Sequence, residues 1–267
     1  MTKTVIITGA SSGIGEALAY VAAAKHYNIV IAARSIDKLN IVKAHCDSIG
    51  GKTHAVVCDV SIKGDCERLV NETIAQFGQL DLLINNAGIS MRALFADCDL
   101  SVIESVMAIN FWGTVYCTRY AMPYLLKSKG TVVGVSSIAG IKGLPARTGY
   151  SASKFAMHGF LESLRIENRK TGLNVLIACP GYTASNIRNT ALNKGGQQQT
   201  ESPFDESKLM QPEEVAAEIF KAVDRKKNYL FLTFQGKATH FLSKFFPKLL
   251  DKLVYNTVAK EKDSPFS

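Results

Sequence analysis

The sequence predicts an α/β doubly wound fold. It has about seven mostly parallel strands, helices on both faces, and a single domain carrying a helical C-terminal tail. Three observations predict it. Short β-branched runs alternate with segments of helical periodicity over residues 1–235. A glycine-rich turn, Thr8-Gly-Ala-Ser-Ser-Gly-Ile-Gly15, stands between the first such run and the first helical segment. Small and polar residues end the later runs, where open parallel sheets bind their ligands.

The elements follow in order. Val5-Ile-Ile7 suits a buried parallel strand. After the glycine-rich turn, Ile14, Leu18, Val21 and Ala22 share one helical face. A turn that opens a helix brings bare backbone N–H groups and the positive helix end to one point, which suits a pyrophosphate. Gly9, Ser11, Ser12, Gly13, Ile14 and Gly15 are therefore expected dinucleotide contacts, although a tight turn alone would also use these glycines. Asn28–Arg34 is the second strand. No acid stands at its end to bind ribose hydroxyls; Ala33 is followed by Arg34 and Ser35. A guanidinium fork there favours a 2′-phosphate, hence NADP(H) over NAD(H); the alternative is a surface arginine closing a strand.

Residues 35–49 read as a helix. Thr53–Cys58 is the third strand, and Asp59-Val60 at its end places an acid for the adenine amine. Residues 63–77 form an amphipathic helix with Cys66, Leu69, Val70, Ile74 and Phe77 inward. Leu80–Ile84 is the fourth strand and ends in Asn85-Asn-Ala-Gly88. Residues 99–127 read as one long helix with Asn110 as its inconsistent residue. Gly130–Val135 is the fifth strand, ending at Ser136-Ser137. A helix follows over Tyr150–Thr171, with an apolar stripe of Ala152, Phe155, Ala156, Gly159, Phe160 and Leu164. Leu173–Ala178 is the sixth strand, and Pro180-Gly181 turns the chain back. Residues 186–210 are polar and read as a mobile loop. Pro212 restarts a helix, and Asn228–Phe234 is the seventh strand.

Tyr150 and Lys154 lie four apart, on one face of their helix. A cation beside a phenol lowers its pKa and lets it exchange a proton near neutral pH. By itself, the pair also fits a half-buried ring beside a solvated charge.

Taken together and in order, Thr8-Gly-x-x-x-Gly-x-Gly15, Asp59-Val60, Asn85-Asn-Ala-Gly88, Asn110, Ser137, Tyr150-x-x-x-Lys154 and Pro180-Gly181 resemble the classical short-chain dehydrogenase/reductase family over about residues 3–235. Arg34 resembles the NADP-preferring subgroup. A looser likeness runs to hydroxysteroid dehydrogenase-like and membrane-associated reductase branches. The resemblance implies a Rossmann fold and an oxidoreductase acting on a carbonyl/alcohol pair. It implies that Asn110, Ser137, Tyr150 and Lys154 are catalytic. Tyr150 would move the proton, and Ser137 rather than Ser136 would polarise the carbonyl. Lys154 would tune Tyr150 and bind the nicotinamide ribose. Asn110 would interrupt its helix and hold a water leading from the lysine to solvent. Cofactor contacts would extend to Asn86, Ala87, Gly88, Pro180 and Gly181, with Thr183 and Ser185 on the carboxamide. Ser137, Leu144, Tyr150 and Tyr182 would face a hydrophobic substrate, with Pro145, Met91 and Arg92 nearby and residues 186–210 as the lid. Pairing of the 111–127 and 150–171 helices across subunits would make a homodimer or homotetramer. The competing reading, a catalytically silent NADP(H)-sensing or scaffolding protein, would be expected to lack a member of the tetrad; all four are present.

Composition sets the remaining bounds. The chain has 267 residues, 47% hydrophobic and 20% charged, which is ordinary for a globular protein with a substantial core. No stretch approaches the ~20 apolar residues of a membrane span. The start lacks the basic and apolar regions of a secretory signal. The six cysteines (46, 58, 66, 98, 117 and 179) form no C-x-x-C pair and no Cys/His cluster, so buried thiols in a reducing cytoplasm are expected and no metal. Of the net charge of +8, most lies beyond residue 224, where nine basic residues face three acidic ones. The near-neutral body argues against a nucleic-acid surface. In the tail, 236–267, apolar Phe241, Leu242, Phe245, Phe246, Leu249, Leu250, Leu253 and Val254 alternate with Lys244, Lys248 and Lys252, and Pro247 divides two short helices. Such a tail fits peripheral contact with an anionic membrane, packing on the protein's own pocket, or packing on another subunit.

Overall fold

In the computed structural model, residues 2–184, 186–199, 209–260, 264 and 266 are described. Side-chain alternation builds the sheet. In β1 (Thr4–Thr8), Val5 and Ile7 point to one face and Ile6 to the other, and all are fully buried. A strand buried on both sides needs helices on both sides. The other strands are β2 (Asn28–Ala33), β3 (Lys52–Val57), β4 (Leu82–Asn85), β5 (Thr131–Val135), β6 (Asn174–Cys179) and β7 (Tyr229–Phe231). They form one seven-stranded sheet in the order β3-β2-β1-β4-β5-β6-β7, with every neighbouring pair parallel. The order reverses between β1 and β4. That is the crevice where such sheets bind dinucleotides.

The helices are α1 (Gly13–Ala24), α2 (Ile36–Ser48), α3 (Lys63–Phe77), α4 (Leu100–Met107), α5 (Gly113–Ser128), α6 (Thr148–Glu167), α7 (Pro212–Asp224), α8 (Phe234–Phe245) and α9 (Pro247–Ala259). α1, α2 and α7 cover the Val5/Ile7 face with Leu18, Leu39, Val42, Ile219 and Phe220. α3, α5 and α6 cover the Ile6 face with Cys66, Leu69, Ala121, Leu125, Met157 and Leu161. All six cysteines are free, and all but Cys98 are buried.

Three expectations need correction. The long helix is broken by a π-helical turn, Ala108–Trp112, centred on Asn110. By length and apolar content alone, the continuous run Leu100–Ser128 could cross a bilayer. Its inner residues Val102, Val106, Cys117 and Leu125 instead pack into the protein core. The apolar stripe on α6 is turned mostly away from the sheet, as a helix–helix contact face would be, with its Phe160 and Leu164 reaching the core on the Ile6 side. Ala152, Phe155 and Gly159 face outward, while Met157, Leu161 and Leu164 take the inner face. The seventh strand stops at Phe231 because the Thr233 hydroxyl accepts from the Gly236 N–H at 3.0 Å and caps α8. Phe234 thereby opens α8 instead of closing the strand. Finally, residues 192–199 are pinned to the 90–99 segment, with Leu192 N–H on Ser90 O, Arg92 N–H on Leu192 O and Asp99 N–H on Lys194 O. Residues 200–208 of the expected lid lie outside the described residues.

Phe220 is 1% exposed and meets Tyr27 edge-on at 6.0 Å. Phe220→Ala is expected to cost about 3–5 kcal/mol of unfolding free energy, read as a lower urea midpoint at unchanged slope.

Candidate active site

The glycine-rich turn is clamped to the exit of β4. Thr8 Oγ1 accepts the N–H groups of Asn86 and Ala87 at 3.0 and 3.1 Å. Asn86 Nδ2 donates back to the Thr8 and Gly9 carbonyls at 2.9 and 3.2 Å. This approach leaves no room for side chains. A Cβ on Gly9 would lie 2.7 Å from Ala87 Cα, and one on Gly15 would lie 2.2 Å from the Gly9 carbonyl oxygen. Gly9 also has φ +65°, in the region that favours glycine. The side chain of Ser12, the N-cap of α1, makes no capping bond. The turn therefore offers hydroxyl and helix-end N–H donors, a fit for a dinucleotide's phosphates. The Asn86 side chain is already bonded to the turn, so its part in holding a cofactor is to shape that turn.

Arg34 is exposed at the end of β2 and makes no ion pair among the described residues. Ser35 caps α2, accepting the Lys38 N–H at 3.5 Å. Asp59 Oδ1 accepts the N–H and hydroxyl of Ser61 at 2.9 and 2.7 Å. Val60 packs so closely on α5 that a Cβ on Gly113 would lie 2.7 Å from it. Gly9, Arg34, Asp59 and Gly88 thus line the carboxyl edges of β1–β4 as expected.

The catalytic candidates meet farther along the same edge. A cavity of about 140 Å³ is lined by Ser137, Tyr150 and Lys154, together with Ile14, Asn86, Gly88, Leu144, Pro180, Gly181, Tyr182 and Thr183. Lys154 is 3% exposed and donates to the Val135 carbonyl at 2.9 Å. Burial pulls its pKa down to about 8. Its ammonium lies 5.8 Å from the Tyr150 ring centre. The expected lowering of the Tyr150 pKa is not the net result. Burial pushes this phenol up, against a hydrogen bond with Ser137 and the charges of Arg147 and Arg188.

Asn110 is fully buried behind this cavity. Its Oδ1 accepts the Ile89 N–H at 2.9 Å, and its Nδ2 donates to Ile89 O and Ser153 Oγ at 3.0 and 2.9 Å. The amide therefore ties the segment after β4 to α6. Met91, expected at the pocket wall, is 0% exposed and packs behind Tyr150 with Val102 and Val106. Neither Arg92 nor Pro145 borders this cavity. Ser185 lies outside the described residues.

Sequence reasoning missed three contributors: His158, Arg147 and Arg188. His158 sits eight residues after Tyr150 on the same buried face of α6, so extending the four-residue ladder would have found it. Its Nε2 lies 2.7 Å from Ser136 Oγ and 3.7 Å from Cys179 Sγ. It ties α6 to the two strand ends that carry Ser137 and Pro180. Arg147 and Arg188 border the cavity, with Arg188 Nη2 donating to the Thr183 carbonyl at 2.6 Å. A pair of arginines in irregular segments carries no periodic signal.

Comparison with known proteins gives consistent results. The family model described as short chain dehydrogenase matches residues 3–195. The 11-beta-hydroxysteroid dehydrogenase-like 4A of Arabidopsis thaliana is 39% identical over 250 residues, covering 93% of this chain and 82% of that protein. A short chain dehydrogenase/reductase from Burkholderia phymatum, solved with NAD, superposes with TM-score 0.84 at 22% identity, covering 93% of this chain and 95% of the other. An alcohol dehydrogenase from Thermococcus sibiricus, solved with 5-hydroxy-NADP, gives TM-score 0.77 at 23% identity, covering 87% and 96%. At such identities the two structures speak for the fold.

Burial depresses the His158 pKa to about 4. Between that value and the unfolded value near 6.5, only the unfolded chain takes up the proton. This contribution to stability is complete above about pH 6.5 and is lost as pH falls toward 4, to the extent of about 3 kcal/mol. His158→Gln is expected to shrink the fall in melting temperature between pH 7 and 4.5. An unchanged fall in this variant would contradict the assignment.

Proposed function

The chain belongs to the short-chain dehydrogenase family, and we propose that it is an NADP(H)-dependent oxidoreductase interconverting a ketone or aldehyde with an alcohol. One observation carries the reading. Ser137, Tyr150 and Lys154 border a single cavity on the edge of the sheet that also bears the clamped glycine turn. The nicotinamide, when bound, supplies or accepts the hydride.

The residues divide the remaining work. In reduction, Tyr150 rests protonated, because burial holds its pKa up, and gives its proton to the substrate oxygen. Ser137 donates a hydrogen bond to that oxygen and stabilises its developing charge. Lys154 favours the phenolate that forms and offers its remaining donors to ribose hydroxyls. Asn110 acts as a positioning residue by holding α6 against the segment after β4; the water path toward solvent belongs to the same proposal. Arg34 supports NADP(H) over NAD(H), since an exposed, unpaired guanidinium at the end of β2 is free to meet a 2′-phosphate. Thr183 and Ser185 would orient the carboxamide. Leu144 and Tyr182 support an apolar substrate. The outward stripe on α6, continued by the half-exposed Trp112, supports assembly as a homodimer or homotetramer. The proposed compartment is the cytoplasm.

Tyr150→Phe is expected to lower kcat for NADPH-dependent carbonyl reduction by at least about 10²-fold while leaving NADPH affinity in place. Intact turnover in this variant would rule out the mechanism. Arg34→Glu is expected to weaken NADPH binding about tenfold or more and to spare NADH, as read by fluorescence titration. Equal effects on both cofactors would argue against a 2′-phosphate contact.

A further inference from the structure

α8 and α9 form a hairpin with two apolar faces. The inner face closes a second cavity, of about 340 Å³, which begins at Ser137 and Tyr182 and runs between Leu242, Leu250, Val254 and Val258. It shares Ser137, Leu144, Pro180, Gly181 and Tyr182 with the catalytic cavity, so the two adjoin along these residues. The outer face carries Phe241, Phe245, Phe246, Leu249 and Leu253, each 46–62% exposed. The corner Phe245-Phe246-Pro247-Lys248-Leu249 is an unbroken exposed run. An apolar surface of this kind marks an interaction site. Leu253 lines the cavity and is also 46% exposed, so the wall of the cavity reaches solvent beside the outer face.

Charge identifies the occupant. Between residues 234 and 260 there are five lysines and one acid, Asp251. All five lysines are exposed, and Asp251 is already paired with Lys142. Pairing this face with a second copy of itself would concentrate ten lysines around one interface, since a two-fold contact duplicates every charge. A leaflet of anionic phospholipid instead offers hydrocarbon to the phenylalanines and phosphate to the lysines. We propose that the α8–α9 hairpin seats the protein on an anionic phospholipid leaflet, and that the cavity opens there, so that an apolar carbonyl or alcohol reaches Ser137 and Tyr150 from the lipid side. The seating stands on the hairpin alone; the passage of substrate rests on the function proposed above.

The test uses the full chain and vesicles of phosphatidylcholine with and without phosphatidylserine. Sedimentation with vesicles is expected only when phosphatidylserine is present. K244E/K248E/K252E is expected to lower the partition coefficient at least about tenfold, and F245S/L249S is expected to abolish it. NADPH binding should persist in both variants, which reports their folding. In a Trp112→Phe background, Phe245→Trp is expected to be quenched by lipids brominated in the acyl chain. Partitioning that ignores phosphatidylserine, or an unquenched Trp at 245, overturns the seating. So does self-association in lipid-free buffer that these same substitutions abolish, which would assign the face to a second copy. For the cavity, 2-undecanone is expected to raise the melting temperature of the unsubstituted chain but not of Val254→Trp or Leu242→Phe. The absence of any shift, or an equal shift in both variants, overturns the substrate path. NADPH binding and vesicle binding are read without turnover, so a failed catalytic proposal is distinguishable from a failed seating.

Discussion

The buried ammonium of Lys154 is the constraint on which the site depends. A cation removed from water must be repaid by fixed acceptors or lose its proton. Here the acceptor from the described protein is the Val135 carbonyl, at 2.9 Å. Only one of the three N–H donors is used there, and burial draws the pKa down to about 8. That carbonyl belongs to the last residue of β5, two before Ser137. The bond that stabilises the lysine therefore also sets the distance between α6 and the strand end carrying the hydroxyl donor. One turn farther on, His158 repeats the arrangement on Ser136. Two successive turns of one helix thus fix the exit of one strand.

The same helix face explains the π-helical turn. Asn110 must reach both Ile89 and Ser153 with one amide. A regular α-helix from residue 100 to 128 would keep the 3.6-residue spacing throughout. The wider turn at Ala108–Trp112 interrupts it at Asn110. Local helical regularity has been exchanged for a satisfied buried amide that holds α6 and the segment after β4 together. Asn in an apolar helix was visible in the sequence as an inconsistency. Which groups it would bond was not, because Ile89 and Ser153 are distant in the chain.

Similar reasoning separates what could be read from what could not. Residues 63–77 were read to the residue, because Lys63–Phe77 has a clear apolar face and Gly78 follows with φ +73°. The strands were read to within a residue or two at most boundaries, and β7 was three residues too long because nothing in Leu-Thr-Phe reveals that Thr233 will cap a helix. The glycine turn was readable as a place for phosphate. The reason for Gly15 was hidden, since it depends on the carbonyl of Gly9 coming within reach. The α6 stripe was readable as a face for another helix, while the inner face of the same helix was not. Its core-facing positions are held by Met157, Leu161 and two titratable groups, Lys154 and His158. A face that buries a lysine and a histidine cannot be found by looking for hydrophobicity.

The tail shows how the two cavities are coupled. Gly236, the residue whose N–H completes the Thr233 cap, stands where a Cβ would lie 3.4 Å from Ile138. Ile138 directly follows Ser137 and borders the larger cavity. The start of α8 is therefore set against the same strand exit that Lys154 and His158 hold from the other side. The Lys142–Asp251 pair adds a second tie, between the segment after Ser137 and α9. With Asp251 largely exposed, the pair contributes little to stability, so its value is in orientation: it turns the sole acid of the hairpin toward the segment after Ser137 and leaves the outer face to lysines. The Ser137 hydroxyl is thus enclosed by α6 on one side and by the tail hairpin on the other. A change in how that hairpin is held would be felt first at Ile138, one peptide bond from Ser137.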